Sequence, residues 1–472
     1  MPGKHWGSRQ GADRDRDGEH CARIAFRISR RKESWWANDL SYCDLRTLYG
    51  RESRLRARDY GKRANFLAGC CGYRPWIKNS GETMRVLTVV HSLGIGGIEV
   101  TLLRSLPYLR RLGVEIGVAC AGEPGALSDS FVAEGATIHR LPRGANRMLS
   151  ALPIREIVER FEYHLVHSML GYNAGSHVIG AQLAGRPCLV SFHGPRKTLQ
   201  TLGISRRSLK AAALRPWLAI NSHIILKRAR LVIGHSEANL DQFYPDWRRR
   251  PDLFRVLTNG IEFPRIEGTK TDNRTFLGLP ADVPVFLHVG NFSPPKNHSE
   301  LLQIFREIRK HEPRSILVLV GDGPRRVVIE AEASRMGLDD FVVFAGQRRD
   351  TERFFAAADV FLFPSFSEGY GNVLIEAQAA ALPVVASDIP AHREAVASPQ
   401  HQFLYRLGDI KSAAELALRQ LAMARSRSNP WVEQSKKIVS IRNSIETMAG
   451  RLADIYRGVL FGDQHAFRPS DA

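Results

Sequence analysis

The chain has 472 residues, of which 44% are hydrophobic and 24% are charged, a composition typical of a globular protein with two or three domains. No apolar run approaches the roughly 20 residues of a membrane-spanning helix, and the N-terminal residues lack the apolar segment of a secretory signal, so we expect a cytoplasmic protein. The net charge of +19 suits an anionic partner: nucleic acid, an anionic membrane or a phosphorylated substrate.

Residues 1–83 form a basic segment without a sustained helix or strand period. They hold 18 Lys and Arg against 10 Asp and Glu, a net charge of +8. We predict an extension that is disordered or loosely attached, or else sequence upstream of a true start at Met84. The six cysteines include no C-x-x-C pair, which indicates reduced thiols rather than zinc ligands or disulfides. They are Cys21, Cys43, Cys70, Cys71, Cys120 and Cys188.

From Met84 onward, short β-branched runs alternate with helical stretches. The runs cover residues 85–91, 114–120, 164–168, 187–193, 230–236 and 254–260. The amphipathic segment after the first run ends at Gly113, as a helix with a C-terminal glycine would. Strands that alternate with helices predict a parallel sheet with right-handed crossovers. We therefore predict a first Rossmann-like domain over residues 84–265.

The alternation stops over residues 261–284, which are polar and rich in Pro and Gly and predict a linker. It resumes with runs at 283–290, 315–321, 341–346, 360–365 and 382–387, which predict a second doubly wound domain over residues 266–436. Residues 437–461 predict a helix that crosses back to the first domain, followed by a tail over 462–472. Two such domains with facing strand ends form a cleft, where ligands of these sheets bind.

A lysine follows the first strand of the second domain. In "HVGNFSPPKNH" (288–298) the strand ends at Gly290, Asn291 follows, and Lys296 stands just before a helix that begins at about Asn297. A lysine and backbone N–H groups at a helix start suit a phosphate, although a surface lysine beside a Pro-rich turn has the same pattern. The turn in "VGDGPRR" (320–326) repeats the arrangement, and the backbone around Gly346 could line a flat base.

The stretch "FSEGYGNVLIEA" (366–377) places two glutamates around a glycine-rich turn. Glu368 would lie at a strand's carboxyl end, and Glu376 about one turn into a helix for which Asn372 is the predicted N-cap. Carboxylates accept hydrogen bonds, and sugar hydroxyls donate them. Glu368 could therefore hold a pyranose and Glu376 a ribose, with a diphosphate between them, unless Glu376 pairs with an arginine. The candidate contacts in the turn are Gly369, Tyr370, Gly371 and Asn372.

Two features of the first domain are candidates for the other side of the cleft. "HSLGIGGIE" (91–99) departs from a dinucleotide-binding G-x-G-x-x-G motif because Glu99 stands at the third glycine. Gly96 and Gly97 would still permit close approach to a diphosphate. His193, in "VSFHG", ends another strand, and we weigh a site role and a structural role for it equally.

These motifs together resemble family 4 of the retaining glycosyltransferases, the group 1 set with the GT-B fold, over residues 84–460. The most specific match is the E-x7-E element from Glu368 to Glu376. The supporting matches are "GGIE" (96–99), "HG" (193–194), "TNGIE" (258–262), "PPKNH", "VGDGP" and "AAADVFLFPS". The "GGIE" form is similar to enzymes that build exopolysaccharide, capsule or lipopolysaccharide.

The resemblance implies a role for each matching residue. Lys296 would neutralise the donor diphosphate, Glu368 would bind the transferred sugar and Glu376 the ribose. His193 would contact the sugar from the first domain, and Gly97 would approach the phosphates. The family usually has an arginine after the glycine that begins the lysine loop, whereas this chain has Asn291 there. We expect either another arginine, such as Arg325, to substitute for it or the leaving group to be less well stabilised.

The resemblance also implies the reaction. A UDP- or GDP-sugar would be the donor and a saccharide or lipid-linked molecule the acceptor. Attack on the same face of the sugar would retain its configuration without a protein nucleophile. No D-x-D-like pair stands at a predicted strand end, so we expect no divalent metal and no other cofactor. The enzyme would be cytoplasmic or peripheral at the cytoplasmic face of the inner membrane.

Two other functions and one additional contact were considered. Asn291 favours a catalytically silent relative that binds a nucleotide sugar or scaffolds a polysaccharide complex. The net charge would also suit a nucleic-acid-binding protein, but no nucleic-acid motif is present, so we expect no nucleic-acid partner. Residues 206–230 place Trp217 and isoleucines among basic residues, which predicts either contact with an anionic membrane or an ordinary helix with a solvated face.

Overall fold

The computed structural model describes residues 83–94, 96–142, 150–194, 209–263, 266–426 and 429–462, with the backbone alone over 209–215. The predictions for residues 1–82 and for the tail beyond 462 lie outside the described residues. The described chain divides into two compact units. The N-terminal unit comprises residues 83–262 and 441–462, and the C-terminal unit comprises residues 263–440.

The N-terminal unit is built on a seven-stranded parallel sheet. Its strands are β1 (Met84–Val90), β2 (Val114–Cys120), β3 (Thr137–Arg140), β4 (Leu165–Ser168), β5 (Cys188–Phe192), β6 (Leu231–Gly234) and β7 (Phe254–Val256). Their spatial order is β3-β2-β1-β4-β5-β6-β7. In register, Val86 of β1 pairs with Ile116 of β2 on one side and Leu165 of β4 on the other. The strand order therefore reverses beside β1.

Helices connect these strands in the expected alternation. They are α1 (Gly97–Arg111), α2 (Ser128–Ala133), α3 (Ala151–Arg160), α4 (Gly175–Leu183), α5 (Leu209–Arg228) and α6 (Glu237–Phe243). Helix α1 buries Leu102, Leu106 and Leu109, whose spacing places them on one face. The chain then turns at Gly113, whose φ of +75° is readily adopted by glycine.

The C-terminal unit repeats this architecture with six parallel strands. They are β8 (Val285–Val289), β9 (Ile316–Val320), β10 (Val342–Gly346), β11 (Val360–Phe363), β12 (Val384–Ser387) and β13 (Leu404–Tyr405), in the order β10-β9-β8-β11-β12-β13. Its helices are α7 (Lys270–Leu277), α8 (His298–Arg309), α9 (Arg326–Arg335), α10 (Thr351–Ala357), α11 (Asn372–Ala379), α12 (Pro390–Ala395), α13 (Ile410–Arg425) and α14 (Pro430–Arg442), the last ending in the N-terminal unit. The strand order reverses between β8 and β11.

The last described helix, α15 (Ile445–Phe461), belongs to the N-terminal unit. Met448, Leu452 and Val459 share a buried cluster with Leu102 and Leu106 of α1. Its Tyr456 hydroxyl lies 2.8 Å from Nδ1 of His167 on β4. The helix therefore completes the core of the first sheet.

The fold class is confirmed, because both units are doubly wound parallel α/β structures. Some local predictions were wrong. The segment 261–284, interpreted as a linker, contains helix α7, which begins in a capping box between Thr269 and Asp272. Strands β3 and β13 were missed. Helix α11 is capped by Gly371, with φ of +97°, and not by Asn372, which is its first residue.

The burial of the apolar side chains of helix α5 is relevant to the predicted membrane contact. Trp217 and Ile224 pack against the core of the N-terminal unit, and Leu218 and Ile225 are buried in it. Ile220 is exposed. The described apolar side chains of α5 are thus used mainly for packing, and membrane contact stays a prediction. No helix in the described ranges has the length and apolar character to cross a bilayer.

The two described cysteines agree with the reduced thiols expected from the sequence. Cys120 and Cys188 are free and buried. Burial raises the pKa of the Cys120 thiol to about 11 and raises that of Cys188 as well. The other four cysteines lie outside the described residues.

Candidate functional site

The strand order of the C-terminal unit brings two distant loops together. Strands β8 and β11 are neighbours, and the order reverses between them. Loops that leave the carboxyl ends of such strands meet at a crevice where ligands of these sheets bind. The loop after β8, residues 290–297, carries Lys296, and the loop after β11, residues 364–371, carries Glu368. The topology therefore places side chains that are 72 residues apart at one position.

Lys296 and Glu368 form a direct ion pair. Lys296 Nζ donates to Glu368 Oε1 at 2.8 Å, and their side chains are only 18% and 10% exposed. The ammonium also lies 4.6 Å from the centroid of the Phe363 ring, a cation–π distance. An ammonium has three N–H donors, so the pair leaves two of them for other acceptors. The arrangement can hold an anion beside a carboxylate.

Backbone and side-chain hydrogen bonds hold the two loops against each other. Phe366 N donates to Pro295 O at 3.0 Å. Asn297, in the left-handed conformation with φ of +55°, donates from Nδ2 to Pro364 O at 3.2 Å and to Glu300 Oε2 at 2.6 Å. These contacts orient the residue that directly follows Lys296. A helix start at about Asn297 was predicted from the sequence, but a role of Asn297 in orienting the lysine was not.

Glu300 links this loop to the end of the sheet. Its Oε1 accepts from the Tyr405 hydroxyl at 3.0 Å and from Gly408 N at 3.1 Å. Burial, together with the nearby Glu300 carboxylate, raises the pKa of Tyr405. Tyr405 therefore stays a neutral donor and supports the lysine loop from strand β13, the strand that sequence reasoning missed.

Glycines in the loop after β9 allow it to pack closely on the lysine loop. A Cβ on Gly321 would collide with the carbonyl oxygen of Gly290, and one on Gly323 would lie 2.8 Å from Phe292 N. Both glycines have φ values, +137° and +157°, that other residues rarely adopt. In the lysine loop itself, Asn291 is exposed and accepts from the Ser293 hydroxyl at 2.9 Å. The "VGDGP" glycines thus shape the loop that carries Lys296.

Three buried histidines surround the ion pair. His288 donates from Nδ1 to Leu362 O at 2.9 Å, and His392 from Nδ1 to Ser387 O at 2.8 Å. The third, His298, stacks on Phe292 with ring centroids 4.2 Å apart. Burial lowers the pKa of His288 and His392 to about 4 and that of His298 to about 2. All three are neutral at physiological pH and add no charge beside Lys296 and Glu368.

The second glutamate lies on α11. Gly369, Tyr370 and Gly371 are buried in the turn, and half-buried Glu376 is the fifth residue of the helix. The helix begins directly after the loop that carries Glu368, and its N-terminus is the positive end of its dipole. Gly346, the last residue of β10, has φ of +70°. Nearby, Arg348 forms an ion pair with Asp350 at 2.6 Å.

The remaining predicted residues belong to the N-terminal unit. Gly96 is the N-cap of α1 and Gly97 its first residue. A Cβ on Gly96 would collide with the Glu99 carboxylate, whereas the space beside Gly97 is open. Burial raises the pKa of Glu99. The space beside Gly97 is therefore open, and its close approach to a diphosphate stays a prediction.

His193 directly follows β5 and is half-buried. Its Nε2 lies 3.3 Å from Nε2 of His235, which follows β6. Burial and the neighbouring His235 and His167 hold the pKa of His193 well below its ordinary value. Sequence reasoning missed His235, although its position at a strand end was the available signal.

Comparison with known proteins identifies both units. Residues 95–265 match the family model described as "Glycosyltransferase Family 4", and residues 283–423 match "Glycosyl transferases group 1". EpsF of Bacillus subtilis (strain 168), which is named as a glycosyltransferase, is 27% identical over 311 residues, 64% of this chain and 79% of EpsF.

A second relative has a defined activity in its name. The UDP-Gal:alpha-D-GlcNAc-diphosphoundecaprenol alpha-1,3-galactosyltransferase of Escherichia coli is 28% identical over 282 residues, 58% of this chain and 70% of that enzyme. Among solved structures, Anabaena HepE in complex with UDP and glucose has a TM-score of 0.65 at 22% identity, covering 79% of this chain and 99% of HepE. The likeness to HepE agrees with the fold of the two units.

Proposed function

The chain belongs to the group 1 glycosyltransferases of family 4, and we propose that it transfers a sugar from a UDP-sugar to a saccharide or lipid-linked acceptor with retention of configuration. The ion pair between Lys296 and Glu368 at the strand-order reversal carries this proposal. It places a cation for a diphosphate directly beside an acceptor of hydrogen bonds from sugar hydroxyls.

The two charges would act on different parts of the donor. The two free N–H donors of Lys296 and the start of α11 would meet the β-phosphate, where negative charge grows as the glycosidic bond breaks. Because they are held in place before the reaction, they would stabilise the transition state more than the ground state. Glu368 would bind the hydroxyls of the transferred sugar, and Glu376 the ribose.

The reaction can balance without a protein nucleophile. The bond between the sugar C1 and the phosphate oxygen breaks as the acceptor oxygen bonds to C1 on the same face. The acceptor's proton passes to the departing phosphate. Since Lys296 supplies positive charge at the leaving group, we propose that no divalent metal is required.

The relatives support a particular choice of donor and acceptor. The galactosyltransferase of Escherichia coli is named for UDP-Gal and a diphosphoundecaprenol-linked acceptor, and HepE was solved with UDP. We therefore propose UDP rather than GDP as the nucleotide. A lipid-linked acceptor would require the enzyme to work at a membrane surface.

A donor panel tests the proposed function. We expect UDP release from at least one of UDP-glucose, UDP-galactose and UDP-N-acetylglucosamine, unchanged by EDTA, and no GDP release from GDP-mannose. With an acceptor present, the transferred sugar should be α-linked by NMR. Glu368→Ala should abolish release, whereas Glu312→Ala, which removes an acid paired with Arg425 at 2.6 Å, should not. No release from any donor, or full release by Glu368→Ala, would refute the proposal.

One observation favours a second candidate, a catalytically silent relative that binds a nucleotide sugar. Asn291 stands where the family usually has an arginine, and it bonds to the Ser293 hydroxyl. If this substitution silenced the enzyme, Asn291→Arg would create or sharply raise turnover while UDP binding changed little. If the chain is an active transferase as proposed, Asn291→Arg should change the turnover number by less than about tenfold, a free-energy difference of about 1.4 kcal/mol.

A further inference from the structure

Asn297 joins helix α8 to the loop that follows β11. Its side-chain nitrogen Nδ2 lies 2.6 Å from Oε2 of Glu300, on α8, and 3.2 Å from the carbonyl oxygen of Pro364. Asn297 directly follows Lys296, and Pro364 is the first residue of the loop that carries Glu368. One side chain therefore contacts the second of the two loops that form the ion pair while its backbone belongs to the first.

The chemistry of the two partners decides how the Asn297 amide is turned. A carboxylate and a backbone carbonyl can only accept hydrogen bonds, whereas the nitrogen of a side-chain amide carries two N–H donors. The nitrogen must therefore face both partners and use one hydrogen for each. An aspartate at this position would present oxygen to two acceptors.

The backbone of Asn297 makes a separate demand. Its φ of +55° and ψ of +44° lie in the left-handed region, which asparagine and aspartate enter more readily than other residues with a side chain. Aspartate suits this backbone but lacks the N–H donors, and glycine suits it without a side chain. Asparagine meets both demands, and substitution by glycine or aspartate separates them.

The acceptor on α8 is itself held by two further donors. The Tyr405 hydroxyl, on β13, and the backbone N–H of Gly408 donate to Oε1 of Glu300 at 3.0 and 3.1 Å. One carboxylate oxygen thus receives the end of the sheet and the other receives Asn297. The Asn297 amide is therefore bonded to an acceptor whose position is set by β13.

A second link between the loops lies on the other side of the lysine in the chain. Phe366 N, two residues before Glu368, donates to the carbonyl oxygen of Pro295 at 3.0 Å. Pro295 precedes Lys296, and Asn297 follows it. Both chain neighbours of Lys296 are therefore bonded to the loop that carries Glu368, which fixes the lysine backbone relative to that loop.

We propose that Asn297 is a positioning residue for Lys296, because both hydrogens of its amide hold the lysine loop in place and so set where the ammonium stands relative to Glu368. The catalytic consequence rests on the proposed function, whereas the contact between the loops does not. Asn297 acts on the reaction only through Lys296. Its loss should lower the transfer rate more than the affinity for UDP, because a misplaced charge costs more in the transition state than in the ground state.

Amide hydrogen exchange, measured by mass spectrometry on the full chain, tests the contact without a ligand. Asn297→Gly permits the left-handed backbone and removes both donors. We expect it to raise exchange at least about threefold in peptides that cover residues 290–297 and 364–371. Unchanged exchange in both loops would overturn the inference.

Asn273→Ala is the matched control for the exchange measurement. Asn273, on α7, also donates from Nδ2 to two acceptors, the carbonyl oxygens of Glu267 and Thr269, each at 2.9 Å. Its loss should raise exchange near α7 and leave the two loops of the ion pair unchanged. Equal effects of both variants on these loops would show general destabilisation and no specific role for Asn297.

Kinetics test whether the contact matters to the reaction. Asn297→Gly should lower kcat for the preferred UDP-sugar by roughly tenfold and raise the Kd for UDP by no more than about threefold. Asn297→Asp should be at least as impaired, since it places a carboxylate against Glu300. The double variant Asn297→Asp with Glu300→Gln restores an amide–carboxylate hydrogen bond and should recover at least about threefold in kcat over Asn297→Asp. Asn273→Ala should change kcat and Kd by less than about twofold.

Each kinetic result counts for or against the positioning role. Full activity of Asn297→Gly would show that Asn297 serves only its left-handed backbone. A double variant no better than Asn297→Asp would show that Asn297 does not act through Glu300. If the native chain turns over no donor, the proposed function fails, and hydrogen exchange still decides whether Asn297 holds the two loops together.

Discussion

The ion pair of Lys296 and Glu368 has opposite consequences for binding and for reaction. At 2.8 Å the carboxylate neutralises much of the lysine's charge, and it would also repel an incoming diphosphate. The same carboxylate would bind the sugar through its hydroxyls. Under the proposed function, this one side chain would weaken binding of the nucleotide and strengthen binding of the sugar.

Replacing Glu368 by glutamine should separate these effects. Glu368→Gln keeps the shape but removes a negative charge beside the phosphate site, so we expect UDP to bind roughly three- to tenfold more tightly. Because a hydrogen bond to a charged group contributes more than one to a neutral group, the transfer rate should fall roughly 10- to 100-fold. Titration calorimetry with UDP and steady-state kinetics measure the two effects.

Glu312→Gln provides the control for this experiment. It removes a carboxylate of the same unit that pairs with Arg425, so neither UDP affinity nor transfer rate should change. Weaker UDP binding by Glu368→Gln would show that the carboxylate's main role is to orient Lys296.

The positions of Lys296 and Glu368 could be predicted from the sequence, but their contact could not. The residue types and spacing of the Lys296 and Glu368 motifs predicted that both lie at strand ends. They could not predict that the two side chains bond to each other, because that depends on which strands are neighbours and how two loops pack. His235 was missed for a related reason: it lies beside His193 because β5 and β6 are neighbours in the sheet.

At the scale of elements, helix α7 is anchored more firmly than its polar sequence suggests. Arg274 is 5% exposed and donates to Ala357 O at 2.9 Å and to Val283 O at 3.1 Å. It also pairs with Asp359 at 2.7 Å. Asp359 in turn accepts from Val285 N, the first residue of β8, at 2.7 Å. Arg274 thus joins α7 to the amino ends of β8 and β11.

We expect Arg274→Met to destabilise the C-terminal unit by roughly 3–5 kcal/mol, because it removes one cation from the largely buried Asp359 and leaves the carbonyls of Ala281, Val283 and Ala357 without their guanidinium donor. Lys270→Met removes the other cation on Asp359, at 2.8 Å but 46% exposed, and should cost about 1 kcal/mol or less. Thermal melting of both variants, monitored by circular dichroism, measures the difference. Equal melting temperatures would show that Arg274 is no more important than its exposed neighbour.

The elements that sequence analysis missed share a physical cause. Strand β3 has the sequence "TIHR" with only one residue fully buried, and β13 has two residues, so neither shows a β-branched run. Helix α7 has few apolar residues, and its signal was the capping box from Thr269 to Asp272. The buried central strands of both sheets were found because parallel strands covered on both faces are continuously apolar.

At the scale of the whole molecule, charge is distributed unevenly along the chain. Of the net charge of +19, residues 1–83 contribute +8. Among the residues that the structure describes, every strand of both sheets and every residue of the candidate site lies after that segment. Shortening the chain therefore tests whether the first 83 residues contribute to binding of anionic surfaces without being needed for activity.

We expect a chain that begins at Met84 to retain donor turnover within about twofold, since the described strands of both sheets and the candidate site residues all lie from Met84 onward. It should bind vesicles that contain phosphatidylserine more weakly than the full chain at low salt, because each basic residue near an anionic surface contributes about 1 kcal/mol. Flotation with neutral vesicles, and at high salt, provides the controls. Equal flotation of both chains would show that any membrane contact lies after residue 83, and α5 would then be the first element to mutate. Loss of turnover in the shortened chain would show that the N-terminal segment contributes to the fold or to the site.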